Sequence, residues 1–387
     1  MRTRQELGEA LTAILRDPTP PGLRPQLEWF LPDDLPQLAL HASRHRVAPF
    51  VSRALRAARL TPSAEATAQL ERTHAHWAAV HLMALEDLRT LGEVLGNAGV
   101  SFLVVKGPVI AEHLYPAADL RTYDDLDIVI APSSFGDAIG ALEGAGLDLV
   151  DRNWQLIREE ARAQLHLQLP LGTLADVHWS LLNRGAVRDA FDVPTEGLFA
   201  NARELSIAGM PVMTIDPVDT LLHLCVHATL SGGDRLIWSK DVERAIAVDA
   251  PPWDEVLRRA RSWRAGPSVA IALDRARRQL GAPVPDAVLR ELYGSGVRRS
   301  ITTAVDRWRP PERSVGEMSA AVLWSQVCRA GWGDTFRAAR GRASRRSRNV
   351  LRGEDHDEVP LFRPTGDGSD ETGYLHDVSD ADGRDAP

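Results

Sequence analysis

Two cysteines in 387 residues, Cys225 and Cys328, leave the chain without the material for a disulfide framework or a thiolate zinc site. That scarcity points to a reducing, cytoplasmic setting. Lysine is equally sparse: Lys106 and Lys240 are the only two among 45 basic residues, so arginine is the default cation. A lysine kept against that background suggests a need for a compact ammonium. No apolar run approaches the roughly 18 residues of a membrane-spanning helix, so no span is expected. The opening "MRTRQELGEALTAILRD" is broken by Glu6 and Glu9 and reads as an amphipathic helix rather than a signal peptide. No internal repeat is visible.

With 44% apolar residues and 25% charged ones, the chain has enough material for a core of two or three domains. The net charge of −8 is unevenly spread. Residues 353–387 carry eleven acidic residues against two arginines, which accounts for the excess and leaves the body close to neutral. Arg337 to Arg352 holds seven arginines and no acid, so a basic segment abuts an acidic one, the pattern of an interaction tail or solvated arm. The basic run has no interleaved aromatics and adjoins a neutralising tail, which argues against nucleic acid as a partner. The tail itself, rich in Gly, Asp, Ser and Pro, is expected to be disordered, with "VPLF" at 359–362 its apolar island.

The spacing of apolar residues predicts a helix from Ala64 to Leu95, stopped by Asn97 and Gly99. "VSFLVVKG" reads as a buried strand ending at Gly107, and Pro108 suits the first turn of a short helix to Tyr115. The strand Leu126 to Ile130 follows, then a helix over Phe135 to Glu143 capped by Ser133 or Ser134, then the strand "GLDLVD". "AQLHLQL" alternates Leu165, Leu167 and Leu169 with Gln164, His166 and Gln168, and "ADVHWSLL" is its hairpin partner. "ELSIAGMPVMTI" reads as a hairpin about Gly209, and Asp216 with Pro217 opens a helical stretch broken at "SGGD", "DAPP" and "GAPVP". The expected fold is α+β: a small mixed-sheet core over 99–215, helical regions over 1–98 and 216–352, and the tail.

Asp125 and Asp127 project from one face of their strand while Leu126, Ile128 and Ile130 face the other. Their Cα atoms are expected roughly 7 Å apart, a gap that hard cations about 4 Å apart can bridge in phosphoryl chemistry. Asp176, on the neighbouring strand with His178 on the same face, is the candidate third carboxylate. Oxygen ligands favour magnesium or manganese over zinc. Lys106 and Gly107 offer a cation and an exposed amide where a triphosphate can dock, and Arg121 adds a planar cation just ahead of the aspartates. Asp124 reads as a turn residue. His178 reads equally as a ligand-side group or as a histidine held by a neighbouring strand. His223 and His227 share a helical face without any zinc-protease pattern and read as packing or substrate contacts. Lys240 and Asp241 follow Ser239 and read as a helix start, while Trp179, Trp238 and Trp253 read as core or domain-contact residues rather than base-stacking platforms.

"VVKGPVIAEHLYP", "RTYDDLDIVI" and "ADVHWSLL" together resemble the uncharacterised nucleotidyltransferase family of the DNA polymerase beta-like superfamily, in order and in spacing. The resemblance extends over residues 99–245, through "LLHLCVHATLSGGDRLIWSKDVERAI", where His223, His227 and Asp241 fall in matching places. It implies metal-dependent transfer of a nucleotidyl group from a nucleoside triphosphate such as ATP, with Asp125, Asp127 and Asp176 around Mg2+ or Mn2+. It also implies that Lys106 and Arg121 hold the β and γ phosphates, and that Lys240 and Asp241 serve the nucleotide pocket. Lys106 and Gly107 stand where the superfamily carries Gly-Ser. Polymerase-specific elements are missing, so the expected acceptor is a small molecule or a protein. Two other readings keep the Asp-x-Asp in play: a glycosyltransferase holding a nucleotide-sugar diphosphate, and a non-catalytic scaffold.

Overall fold

The computed structural model describes residues 3–16, 34–60, 63–308 and 368–380. The basic run at 337–352 and "VPLF" lie outside the described residues. Among the described residues four helices come first: α1 (Arg4–Leu15), α2 (Leu35–Arg44), α3 (Ala48–Ala57) and α4 (Ala64–Asn97). Thr3 and Glu6 form a capping box at α1, and the Ser63 side chain caps α4, each satisfying amides that a helix start leaves open. Gly99, at φ 71°, lets the chain turn out of the long helix.

The sheet is built from β1 (Phe102–Val104), β2 (Asp125–Ile130), β3 (Asp148–Leu149), β4 (Gln164–Gln168) and β5 (Leu174–His178), in the order β1-β2-β5-β4-β3. Only β2 and β5 run parallel; the other neighbours are antiparallel, so the sheet is mixed. Between these strands lie α5 (Pro108–Leu114), α6 (Pro132–Gly144) and α7 (Trp154–Glu159). The helix expected from Phe135 starts earlier, with Pro132 in its first turn and no side-chain cap from a serine, because proline needs no amide partner there. Short helices α8 (Gly185–Arg188) and α9 (Thr195–Ala200) lead to the hairpin β6 (Arg203–Ile207) and β7 (Met210–Thr214). Ala208 and Gly209 turn it with φ of 47° and 82°, the double positive φ that matches strand twist in a tight hairpin. Thr214 Oγ1 donates to the Val104 carbonyl at 2.6 Å, tying that hairpin to β1.

The chain then becomes helical: α10 (Pro217–Leu230), α11 (Leu236–Asp249), α12 (Trp253–Ser262), α13 (Gly266–Leu280), α14 (Asp286–Tyr293) and α15 (Gly296–Trp308). Asp216 caps α10 by accepting from the Asp219 amide at 2.8 Å. Inside the tail expected to be disordered, Gly368–Ser379 forms a further helix, α16, whose Tyr374 and Val378 are buried against the sheet core. That expectation is corrected for these residues.

Two apolar clusters organise the molecule. One face of the sheet, with Leu126, Ile128, Ile130, Leu165, Leu167, Ala175 and Val177, packs with the C-terminal half of α4, with α6 and with α16. The other cluster joins α1–α3 directly to α10–α14, so the two helical regions share one core rather than flanking the sheet separately. Part of the second sheet face is left for polar side chains.

Candidate active site

Strand register makes the site. Asp127 on β2 lies directly opposite Asp176 on β5, and Asp176 lies directly opposite His166 on β4. One row across three strands therefore reads Asp127, Asp176, His166. In the adjacent row His178 stands beside Gln164. Side chains in register on a sheet share a face at strand spacing, so this face gathers carboxylates and imidazoles over a sheet whose other face is apolar.

These groups open into a cavity of about 350 Å³ lined by Lys106, Asp125, Asp127, Asp176 and His178 on the sheet side. Val226, His227, Leu230 and Ser231 line it from the end of α10, together with His223. Lys106 Nζ lies 2.7 Å from Asp127 Oδ1, and His178 Nε2 lies 3.4 Å from the same oxygen. Burial alone would push the Asp127 carboxyl up; Lys106 and His178 outweigh it and hold it well below the usual carboxylate range. Asp176 has no lysine beside it and meets only His166 Nε2, 3.5 Å from its Oδ1. Burial first, then the neighbouring Asp127, pushes it up to about 7, and the same two causes raise Asp125. Desolvation opposes the charge on Lys106, but Asp127 and Asp125 more than offset it, so its pKa is raised.

Asp127 Oδ2 and Asp176 Oδ1 are buried without a hydrogen-bond partner. Asp127, Asp176 and His178 each offer a ligand atom, and these atoms lie within 4.8 Å of one another. Buried carboxylate oxygens without a hydrogen-bond partner are costly unless a cation arrives, so the residues present fit a divalent ion. Asp125 lines the same cavity and is half-buried.

Gly107 shapes the approach. At φ 60° and ψ −124° it occupies backbone space reserved for glycine, and a Cβ there would meet the Asp125 carbonyl at 3.0 Å. The bend of β1 into α5 and the Asp-x-Asp strand therefore lie against each other.

Three expected nucleotide contacts are placed elsewhere. Arg121 is buried and donates from Nε and Nη2 to Asp241 at 3.2 and 3.1 Å, and Tyr115 donates to the same carboxylate at 2.6 Å. A bidentate, desolvated pair is committed to structure, so Arg121 and Asp241 are a clamp between the sheet domain and α11 rather than groups lining the cavity. Arg121 still acts on the site through its field, which lowers the Asp125 carboxyl against burial. Lys240 is buried as well, with Nζ 2.9 Å from the Leu15 carbonyl and 2.7 Å from Glu243, where it ties α11 to α1.

His223 and His227, expected from the sequence as packing or substrate contacts on one helical face, line the cavity, and burial followed by the Lys106 charge lowers their basicity, His223 to about 3 and His227 well below its ordinary value. Both are therefore neutral at physiological pH. Gln164 and His166 were legible only as the polar half of an alternating strand. Asn183 and Arg184, which also line the cavity, sit in a connection with no pattern of its own. Asp151, buried in coil after β3, accepts from both the backbone amide and Nδ1 of His166 at 2.8 Å and raises that ring's basicity.

Residues 32–281 match the family model described as uncharacterised nucleotidyltransferase. The chain belongs to that family. The uncharacterised nucleotidyltransferase match runs from the second helix through the sheet to the end of α13, so it includes all of the cavity-lining residues named above. Among solved structures the chain is similar to an antigenic nucleotidyltransferase-like protein from Paracoccidioides brasiliensis, at 16% identity and a TM-score of 0.35, over 55% of this chain and 93% of that one. No curated protein matches. Among the described residues no helix is long and apolar enough to cross a membrane.

Proposed function

We propose that this family member transfers a nucleoside monophosphate from a nucleoside triphosphate, with ATP the expected donor, to a hydroxyl of a small-molecule or protein acceptor, releasing pyrophosphate. The observation that carries the reading is the register pair Asp127 and Asp176, each with a buried oxygen that has no hydrogen-bond partner, in a cavity also lined by Lys106. Asp127, Asp176 and His178 would hold Mg2+ or Mn2+, with Asp125 beside them. Bound there, the ion supplies charge neutralisation at the phosphates and acidifies the attacking hydroxyl.

The chain's own residues supply the rest. Asp176, on the strand beside the Asp-x-Asp and lining the same cavity, accepts the proton of the acceptor hydroxyl as the new oxygen–phosphorus bond forms and the α–β bridge breaks. Lys106, 2.7 Å from Asp127 and lining the cavity, is the ammonium for the departing phosphates. Neutral His223 and His227, with aliphatic Val226 and Leu230, give the α10 wall the character to receive an uncharged part of the substrate. A volume of about 350 Å³ is small for a ligand site, so it holds one nucleotide-sized molecule while the acceptor presents only its reacting end.

Incubation with Mg2+ and each labelled nucleoside triphosphate, followed by pyrophosphate and by transfer of label, tests this. Release is expected in the wild type and a loss of at least about 100-fold in Asp127→Asn, the scale of removing one electrostatic element of an active site. Turnover that is indifferent to Asp127→Asn and Asp176→Asn overturns the reading, as does sugar transfer from nucleotide sugars without pyrophosphate.

A further inference from the structure

The line of side chains that begins at Asp176 continues past the end of β5. Asp176, His178 and Arg184 stand opposite His166, Gln164 and Arg162, alternate residues along β4 and its approach and so on one face. Arg184 is exposed and lines the same cavity, four residues of strand, roughly 13 Å, past the level of Asp176. Lys106 stands at the other end, on the β1 side, in contact with Asp127. The carboxylates therefore lie between a lysine and an arginine. Three arginines meet where the chain leaves β5, and two of them are occupied. Arg162 pairs with Glu160 at 2.8 Å. Arg188 donates to the carbonyls of Leu182, Asn183 and Ala161 at 3.0, 3.0 and 2.7 Å and lies 4.2 Å from the centre of the Trp179 ring, which pins the backbone leading into Arg184. Arg184 itself is held at the backbone, yet its guanidinium makes no ion pair or hydrogen bond with any described residue.

We infer that Arg184 receives an oxyanion of the acceptor, so that the acceptor is a hydroxyl compound with a carboxylate or a phosphate at its far end. The inference rests on the reading of the cavity as a nucleotidyl-transfer site. In an in-line displacement the attacking and leaving oxygens lie on opposite sides of the phosphorus. Pyrophosphate leaves toward Lys106 as the α–β bridge breaks. The hydroxyl that forms the new bond then comes from the side of Asp176, which takes its proton, and the rest of the acceptor extends along the same line to Arg184. Leu181, Leu182 and Leu230 also line the cavity and suit an apolar stretch between the acceptor's two ends. A guanidinium fork matches a carboxylate or a phosphate with paired hydrogen bonds, whereas a cationic acceptor would be repelled there.

Anion binding to the full chain tests this without an identified acceptor. Wild type and Arg184→Gln are first loaded with Mg2+ and a non-hydrolysable ATP analogue, which fills the donor side, and inorganic phosphate and acetate are then titrated in separately. At least one of the two anions is expected to bind the wild type and to bind Arg184→Gln about tenfold or more weakly, the scale of a charge-assisted hydrogen bond lost. The tighter anion tells whether the acceptor carries a phosphate or a carboxylate. Affinity for the ATP analogue is expected to stay within about threefold in the variant, which also reports that the variant is folded. Equal anion binding by the two proteins overturns the inference, and so does a wild type that binds neither anion. A tenfold loss of ATP-analogue affinity in Arg184→Gln overturns it as well, by moving Arg184 to the donor triphosphate. A wild type that binds no ATP analogue defeats the nucleotidyl-transfer reading instead, and the same titrations without nucleotide then still decide whether Arg184 receives an anion.

Discussion

His223 shows how strongly the cavity controls a single residue. Its ring is 6% exposed and keeps an Nε2 atom without a partner, and burial followed by the Lys106 charge lowers its pKa from 6.5 to about 3. The unfolded ring takes up a proton near 6.5 and the folded ring only near 3, so between those values the unfolded state binds more protons. Stability from this residue is complete above 6.5 and is lost as pH falls toward 3, by at most about 1.4 kcal/mol per pH unit. Asp176, pushed up to about 7 from 3.8, tilts the profile the other way across much of the same range. The wild-type slope alone is therefore a mixture. Urea unfolding of metal-free wild type and His223→Leu between pH 7 and 4 isolates the histidine. The variant is expected to gain on the wild type steadily as pH falls, and parallel profiles would contradict the assigned burial. The Asp-x-Asp and Lys-Gly signals were legible because each is local, two residues wide on one strand or bend. The depressed imidazoles were not, because their surroundings are assembled from β1, β2 and α10.

At the scale of elements, alternation carried most of the information. Leu165 and Leu167 are fully buried while Gln164 and His166 turn to the cavity side, as the period of two implies. Strand order was less accessible, since nothing in a strand's own letters says that β2 runs parallel to β5 and antiparallel to β1. The docked helix α16 was missed for a compositional reason. Its window is polar, and its apolar content reduces to Tyr374, Leu375 and Val378, a stripe too short to stand out from Gly, Asp and Ser. Tyr374 does the anchoring: it is 2% exposed, its hydroxyl donates to the Arg162 carbonyl at 3.0 Å and accepts from Trp179 Nε1 at 3.1 Å, and its ring meets Phe135 and Trp154. The exposed Arg158–Asp377 pair adds little beside that. Tyr374→Ala is expected to cost about 3–5 kcal/mol of docking, and Tyr374→Phe only about 1 kcal/mol. Hydrogen exchange checks it: amides of 368–379 lose protection in Tyr374→Ala while those of β2 and β5 keep theirs. Unchanged protection of the helix would show that the anchor lies elsewhere.

Across the whole molecule, arginine joins elements that are distant in sequence. Arg46 pairs with Asp124, Arg203 and His113 with Asp249, Arg259 with Asp216 and Asp219, and Arg275 with Asp306. The Arg121–Asp241 pair belongs to this set, which is why a motif-level expectation of phosphate contact gave way to a clamp: the partner lies 120 residues away and leaves no local trace. The clamp and the phosphate role make different demands. A buried pair that loses one member keeps an uncompensated charge, so Asp241→Ala is expected to destabilise the protein by about 3–5 kcal/mol. Replacing both members with apolar groups of similar size removes that charge, so Arg121→Met/Asp241→Leu is expected to regain most of the loss, short of the hydrogen bond Tyr115 gives up. Denaturant unfolding of the two variants measures this directly. In the same variants the KM for the nucleoside triphosphate should stay within about threefold of wild type, well under the tenfold that a lost 1.4 kcal/mol contact produces. A double variant as unstable as the single one, or a tenfold rise in KM without loss of stability, would return Arg121 to the substrate side.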